Sequence, residues 1–342
     1  MAFAPIAIVG RACVLPGAHS PEALFQAVLV GKDLLTPTPA GRWKLHGESA
    51  SANAERGGYV QGFERIWQPD GFAIPPEEFL GLDPLVLWLA HCTRAALQQT
   101  HAPASARIGA VFGNLGFPSE AMAAFADQVW HGADKGIDPR NRYMSGGTAD
   151  ILARAIGLNA SCFALDAACA SSLYAIKLAC DQLHDKLADV MLAGAVQRAD
   201  NLFLHRGFAA LNALSPSGRS RPFHQDADGL VPSEGCAMLA LKRLADARRD
   251  GDTIYAVIRG IGLSNDGRGK GLLVPDEHGQ QRAIRASYLS AGLDPAAVSL
   301  LECHATGTSV GDATEIRSSA AVFKNVNNLP IGSLKSNLGH LI

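Results

Sequence analysis

Short apolar runs alternate with longer stretches of helical periodicity along most of the chain. Residues 6–10 (Ile-Ala-Ile-Val-Gly) predict a strand. Ser20-Pro21-Glu22 predicts the start of a helix that extends to about Val30, because it combines a capping serine, a proline in the first turn and an acidic residue. Alternating strands and helices build sheets that are covered by helices on both faces. The order therefore predicts an α/β fold with a mainly parallel sheet.

The remaining elements divide the chain into two halves of similar order. Further strands are predicted over residues 107–113, 162–165, 190–195, 236–241, 254–259, 298–302 and 331–334. Further helices are predicted over residues 84–99, from about 170 to 183, and over 280–291 and 313–323. We assign residues 1–250 to an N-terminal half and residues 251–342 to a C-terminal half. The second half needs another helix and closing strands, so we expect it to be incomplete.

Composition and charge exclude several classes of protein. With 342 residues, 48% hydrophobic content and a net charge of −2, the chain gives no reason to expect binding to nucleic acid or an anionic membrane. Seven cysteines without CxxC pairs indicate reduced thiols, and no zinc-binding spacing is present. We find no signal peptide and no apolar stretch of about 20 residues. These features predict a cytoplasmic protein without a metal or cofactor.

Cys169 stands out among the cysteines because it lies between a predicted buried strand and the start of a helix. Such a turn presents a side chain outward, and the helix N-terminus favours the thiolate over the thiol. The alternative interpretation is a small buried hydrophobic residue, as free cysteines often are. The small neighbours Ala168 and Ala170 favour a nucleophile, because they leave room for a substrate.

Two histidines follow strands in the second half. His304 precedes a Thr-Gly-Thr turn, and His340 ends the run Lys-Ser-Asn-Leu-Gly-His at residues 335–340. Either alone is more simply a core histidine, but two at equivalent strand ends indicate a shared site. Lys335 ends the apolar strand before His340, and Glu315 lies early in the helix after His304. We expect Glu315 to pair with Lys335 and orient the site.

These residues resemble the β-ketoacyl synthase domains of the condensing-enzyme, or thiolase, superfamily, especially those of polyketide and polyunsaturated-fatty-acid synthases. The order Cys, His, His is also that of the family, and the resemblance extends over essentially the whole chain. The motifs are residues 6–10, 16–18 (Pro-Gly-Ala), 42–43 (Arg-Trp), 166–173 (Asp-Ala-Ala-Cys-Ala-Ser-Ser-Leu), 217–223 (Ser-Gly-Arg-Ser-Arg-Pro-Phe), 233–235 (Ser-Glu-Gly), 304–308 and 335–340.

The resemblance implies a thiolase-like fold of two βα halves stacked as αβαβα layers, and a homodimer or a pair with another synthase. It implies that Cys169 receives an acyl group from an acyl carrier protein. His304 and His340 then stabilise the enolate formed when a malonyl-type thioester loses CO₂, and this enolate attacks the acyl group. Lys335 and Glu315 match positions that support the histidines. The expected activity is acyl transfer in polyketide or fatty acid biosynthesis.

The sequence departs from the family pattern at two places. Ala170 stands where many relatives carry serine. Relatives also continue past the second histidine with a helix, strands and a Gly-Phe-Gly-type loop, so the domain is expected to lack its C-terminal end. Two alternatives stay open. One is a thiolase, which would use a second cysteine in a Cys-x-Gly setting. The other is a non-catalytic, truncated partner or scaffold for an intact synthase.

Overall fold

The structure of the protein, a computed structural model, describes residues 3–40, 42, 56–142, 145–198, 201–268 and 274–342. Trp43, part of the Arg-Trp motif, lies outside the described residues. The strands are β1 (Ile6–Val14), β2 (Ile108–Gly113), β3 (Cys162–Leu165), β4 (Val190–Gln197), β5 (Pro232–Ser233), β6 (Gly235–Arg243), β7 (Ala256–Ile258), β8 (Leu301–Glu302), β9 (Ile331–Gly332) and β10 (His340–Leu341).

The helices alternate with these strands over much of the chain. They are α1 (Pro21–Leu29), α2 (Pro84–Leu97), α3 (Glu120–Trp130), α4 (Gly146–Ile156), α5 (Ser171–His184), α6 (Asn201–Ala210), α7 (Leu244–Arg249), α8 (Glu277–Ala291), α9 (Ser309–Val322) and α10 (Lys335–Leu338). The predicted start of α1 is confirmed, since the Ser20 side chain accepts a hydrogen bond of 3.1 Å from the Ala23 amide. No helix among the described residues is long and apolar enough to cross a membrane.

A six-stranded sheet in the order β3-β2-β4-β6-β1-β7 forms the centre of the first half. The strand β2 runs parallel to β3 and β4, whereas β6 is antiparallel to both β4 and β1, and β7 is antiparallel to β1. The prediction of a mainly parallel sheet is therefore wrong for this sheet. After α6 the chain passes through residues 211–231, which form no helix, and then enters β5 and β6.

The predicted strand 254–259 does not open a second sheet. It forms β7, which extends the first sheet because α7 turns the chain back along β1. The predicted strands 298–302 and 331–334 are present only as β8 and β9, two residues each, and they pair in parallel. Both therefore deliver the chain to the same edge, where the loops with the two histidines begin.

Two layers of helix hold the six-stranded sheet in place. On one face, α2 and α4 cover a core that includes Leu89, Phe112 and Leu192. On the other face, α5 lays Ala175 and Ala179 against the sheet. Such small residues, four positions apart on one helix face, allow α5 to approach closely. The turn that precedes α5 is consequently fixed to a rigid support.

Candidate active site

Cys169 lies in a tight turn between β3 and α5. Ala168 has a positive φ of 50°, and Ser171 closes the turn by donating to the Ala168 carbonyl (2.6 Å) and accepting from the Ala167 amide (2.9 Å). Asp166 adds a third bond, because its Oδ1 accepts from the Ala168 amide at 2.9 Å. A non-glycine residue with positive φ costs free energy, and such strain is retained where the surroundings hold it. The Cys169 residue as a whole is solvent-exposed, whereas its sulfur faces the buried His340 ring and is partly shielded from water.

Gly113, the last residue of β2, allows the turn to sit close to the sheet. A Cβ atom at this position would lie 2.6 Å from Ser171 Cβ. Any larger residue would therefore displace the start of α5. The position of the Cys169 sulfur thus depends on a glycine of a neighbouring strand.

His340 reaches Cys169 from the second half. Its amide donates to the Val231 carbonyl at 2.8 Å, and β10 pairs in parallel with β5. The His340 side chain is 3% exposed, and its Nε2 lies 3.1 Å from the Cys169 sulfur. Cys169 and His340, which are 171 positions apart in the sequence, are therefore in hydrogen-bond contact.

His304 follows β8 and completes the cluster. Its ring lies 5.3 Å from that of His340, edge to face at 84°. The Cys169 sulfur and one ring nitrogen of each histidine all lie within 4.8 Å of one another. The structure therefore brings together the three residues that the sequence singled out.

Glu315 holds the His304 loop through the backbone. Its two carboxylate oxygens accept from the His304 and Ala305 amides, each at 2.7 Å. Glu315 and Lys335, both among the described residues, do not form the expected ion pair, although the Glu315 charge still raises the pKa of Lys335. Lys335 acts on the site through its charge. Its positive charge adds to the effect of burial in lowering the pKa of both histidines. It also lowers the pKa of Cys169, but burial raises that pKa by more. Carboxylates at Glu302 and Glu315 partly offset the lowering of the Lys335 pKa by burial.

Burial sets the protonation of the cluster. It lowers the pKa of His304 to about 4, with a smaller effect from Lys335, and lowers the pKa of His340 well below its ordinary value. Both rings are neutral at pH 7, so each carries one N–H. Burial also raises the pKa of the Cys169 thiol. This direction is opposite to the one expected from the helix N-terminus, because burial outweighs the backbone hydrogen bond and the Lys335 charge that favour the thiolate.

Two cavities meet at Cys169. One of about 590 Å³ is lined by all three cluster residues, by Thr306 and Thr308, and by Phe208 of α6. The other, of about 290 Å³, is mostly apolar and extends from Cys169 between α5 and the ends of β4 and β6. The sequence did not predict that Phe208 lines this cavity. The cavity is formed by segments that are distant in the sequence, and the local pattern of α6 does not show which of its residues faces them.

We expect that replacing Glu315 with alanine lowers the free energy of unfolding by about 1–3 kcal/mol, because two backbone amides lose a charged acceptor. Urea denaturation of the variant and the unaltered chain measures this difference. Glu64→Ala is the matched control, since the Glu64 side chain is 75% exposed, and its loss should stay below about 0.5 kcal/mol. Equal losses for the two variants would contradict the role of Glu315.

The sequence matches two family models, one along each half. Residues 4–247 match the model of the β-ketoacyl synthase N-terminal domain, and residues 255–342 match that of the C-terminal domain. A mycocerosic acid synthase-like polyketide synthase of Mycolicibacterium smegmatis is 35% identical over 98% of the chain. A phenolphthiocerol/phthiocerol polyketide synthase subunit of Mycobacterium tuberculosis is 34% identical over 98%. The chain spans 16% and 19% of these two relatives, respectively.

Solved structures give the same result for the fold. The ketosynthase–chain length factor PfaC superposes with a TM-score of 0.92 and 36% identity, covering 99% of this chain and 40% of its own. An oxazolomycin ketosynthase domain of Streptomyces albus superposes with a TM-score of 0.86 and 28% identity, covering 99% and 60%. These neighbours confirm the predicted thiolase-like fold.

Proposed function

The chain belongs to the β-ketoacyl synthase family, and from this premise we propose that it catalyses the decarboxylative Claisen condensation of an acyl thioester with a malonyl-type thioester. The family is one of condensing transferases. The proposal assigns the acyl transfer to Cys169 and the decarboxylation to His304 and His340. The thiolase alternative is not favoured, because both family models that match the chain, and the relatives and solved structures it resembles, are those of ketosynthases.

In the first step, the Cys169 sulfur attacks the carbonyl of an acyl group carried as a thioester. The new carbon–sulfur bond forms as the bond to the carrier breaks, and the carrier thiol leaves with a proton. Because the thiol is protonated at rest, a base must accept its proton. His340 is placed for this, since its Nε2 lies 3.1 Å from the sulfur. Covalent capture divides one difficult reaction into two easier ones.

In the second step, a malonyl-type thioester loses CO₂. The electrons of the broken carbon–carbon bond move into an enolate, whose oxygen needs hydrogen-bond donors. Neutral His304 supplies one ring N–H to this oxygen, and His340 supplies another in the tautomer that carries its proton on Nε2, the nitrogen that faces the site. The enolate carbon then attacks the carbonyl on Cys169, and the carbon–sulfur bond breaks to release a β-ketoacyl thioester. The thiolate that leaves takes one proton from solvent, which restores the resting thiol and balances the loss of CO₂.

The two cavities suit the two parts of an acyl thioester. We assign the apolar cavity of about 290 Å³ to the acyl chain, and the larger cavity to the carrier arm, where Thr306 and Thr308 offer hydroxyls. We propose an acyl carrier protein as the partner that delivers both thioesters, in polyketide or fatty acid biosynthesis. A homodimer, or a pair with another synthase, belongs to the same proposal.

We retain three further assignments as proposals. Residues 1–250 and 251–342 form the two halves of the domain, although β7 pairs with the sheet of the first half. The reaction uses no metal or other cofactor, since acyl capture and enolate stabilisation need only a thiol and ring N–H groups. We place the protein in the cytoplasm, because all seven cysteines are free.

The convergence of one sulfur and two ring nitrogens within 4.8 Å is the observation that carries the proposal. The test is to incubate the chain with an acyl and a malonyl thioester of an acyl carrier protein. We expect a β-ketoacyl product that is two carbons longer and release of CO₂, both measured by mass spectrometry. A chain that binds the carrier and remains folded but forms no product would support the scaffold alternative.

A further inference from the structure

The cluster of Cys169, His304 and His340 has the composition of a metal site as well as that of a catalytic site. One thiol and two imidazoles are the kinds of donor that Zn²⁺ takes from proteins, usually in a tetrahedral arrangement with a fourth position open to water. We propose that this cluster also binds Zn²⁺, or a divalent cation of similar preference, and that binding reversibly blocks the nucleophile.

The geometry needs only a small adjustment to hold the ion. Tetrahedral Zn²⁺ with bonds of about 2.3 Å to sulfur and about 2.05 Å to nitrogen places its ligand atoms about 3.3–3.6 Å apart. The Cys169 sulfur and His340 Nε2 are 3.1 Å apart, and no pair among the three ligand atoms exceeds 4.8 Å. The largest contraction required is therefore about 1.5 Å, which rotation of the more exposed His304 and Cys169 side chains supplies.

Binding balances without any further reactant. The hydrated ion loses water molecules and forms three bonds, to one sulfur and two ring nitrogens. The thiol proton passes to solvent, since the thiolate is the form that ligates metal. The two imidazoles bind as neutral rings, each through a nitrogen that carries no proton. No electron transfer takes place, so a chelator reverses the binding.

Two features of the site keep the ion from being held permanently. The positive charge of Lys335 acts on all three ligand residues and repels a cation. A metal-bound imidazole ordinarily donates its second N–H to an acceptor. Within the part of the chain that the structure describes, the buried His340 Nδ1 has no such partner. We therefore infer an inhibitory site of moderate affinity, distinct from a structural zinc site.

The metal-binding part of this inference stands apart from the proposed function, whereas the inhibition rests on it. Co²⁺ is the probe, because a thiolate bound to Co²⁺ gives a charge-transfer band in the near ultraviolet. The full chain is titrated with Co²⁺ alone, and Zn²⁺ is then added to displace it. We expect the band to appear at a stoichiometry of one, to vanish with Zn²⁺ or chelator, and to be lost in Cys169→Ala.

Three companion measurements complete the test. His304→Ala should weaken Co²⁺ binding by at least about 100-fold. Loss of a residue that only hydrogen-bonds to a metal ligand already lowers metal affinity by about 10–100-fold, and here a ligand itself is lost. Cys162→Ala should keep the band, because Cys162 is the other cysteine that is not fully buried. In the unaltered chain, Zn²⁺ should protect Cys169 from alkylation by iodoacetamide, which mass spectrometry detects without any substitution.

The outcomes separate the two proposals. Absence of the band in the unaltered chain, its survival in Cys169→Ala, or alkylation of Cys169 at the same rate with and without Zn²⁺ would overturn the metal site. A chain that binds Co²⁺ through Cys169 but forms no β-ketoacyl product would leave the metal site standing and contradict the proposed function.

Discussion

Replacing Cys169 with alanine is expected to reduce condensation by at least about 10⁴-fold, the scale of loss when a covalent nucleophile is removed. The acyl group then has no sulfur to receive it, so no acyl adduct forms on the protein. Release of CO₂ from the malonyl thioester should persist, because His304 and His340 remain in place. Product and adduct are measured by mass spectrometry, and CO₂ by a coupled assay.

Cys162→Ala is the matched control, because it also removes a thiol but does so from β3, the strand that precedes the Cys169 turn. Its condensation rate should stay within a few-fold of that of the unaltered chain. Cys169→Ser adds a stricter comparison, because it retains the size of the side chain and a hydroxyl but not the sulfur. Condensation at an undiminished rate in Cys169→Ala would remove the nucleophile assignment.

The sequence predicted the elements that carry strong local signals. The cap at Ser20 and the apolar runs that became β1, β2, β3, β4 and β6 are such cases. The helix α3 was missed because none of its residues is fully buried, and its contact with the core is made by partly buried side chains such as Met122. The helix α4 begins with two glycines, which are poor helix formers, and it exists because Leu152 and Ala155 pack against α2 and β3.

Strand direction was not predictable in the same way. A buried strand shows a continuous apolar run whether its neighbours are parallel or antiparallel. The run of β6 gives no local sign that it lies antiparallel to both β4 and β1. Its direction depends on the end of the sheet at which the chain returns after α6, and no local pattern in residues 211–231 specifies that end.

The identity of the site residues was predictable, whereas their electrostatic state was not. Cys169, His304 and His340 were found from motifs and their order in the chain. The pKa of Cys169 is raised because residues from both halves surround its sulfur, and that desolvation exists only in the folded chain. Glu315 likewise contacts backbone amides, which carry no signature in the sequence, in place of the expected Lys335.

Replacing His340 with alanine is expected to slow release of CO₂ from the malonyl thioester by about 10²–10³-fold, because one of two donors to the enolate oxygen is lost. His304→Ala should slow CO₂ release by a similar factor. Acyl transfer to Cys169 should be slowed more in His340→Ala than in His304→Ala, because His340 is the histidine in contact with the sulfur. His131→Ala is the control, since the His131 side chain on the outer surface is 63% exposed.

The pH dependence of the same reaction gives an independent test of the two donors. An ordinary histidine gains a proton near pH 6.5, but burial lowers the pKa of His304 to about 4 and that of His340 well below its usual value. His304 therefore stays neutral as the pH falls from 8 to about 5, and His340, whose pKa is also lowered, does not gain a proton near pH 6.5. We expect the rate of CO₂ release by the unaltered chain to show no step near pH 6.5 in that interval. A step there that disappears in His304→Ala or His340→Ala would show that a donor ring titrates as an exposed imidazole, which contradicts its burial in the cluster.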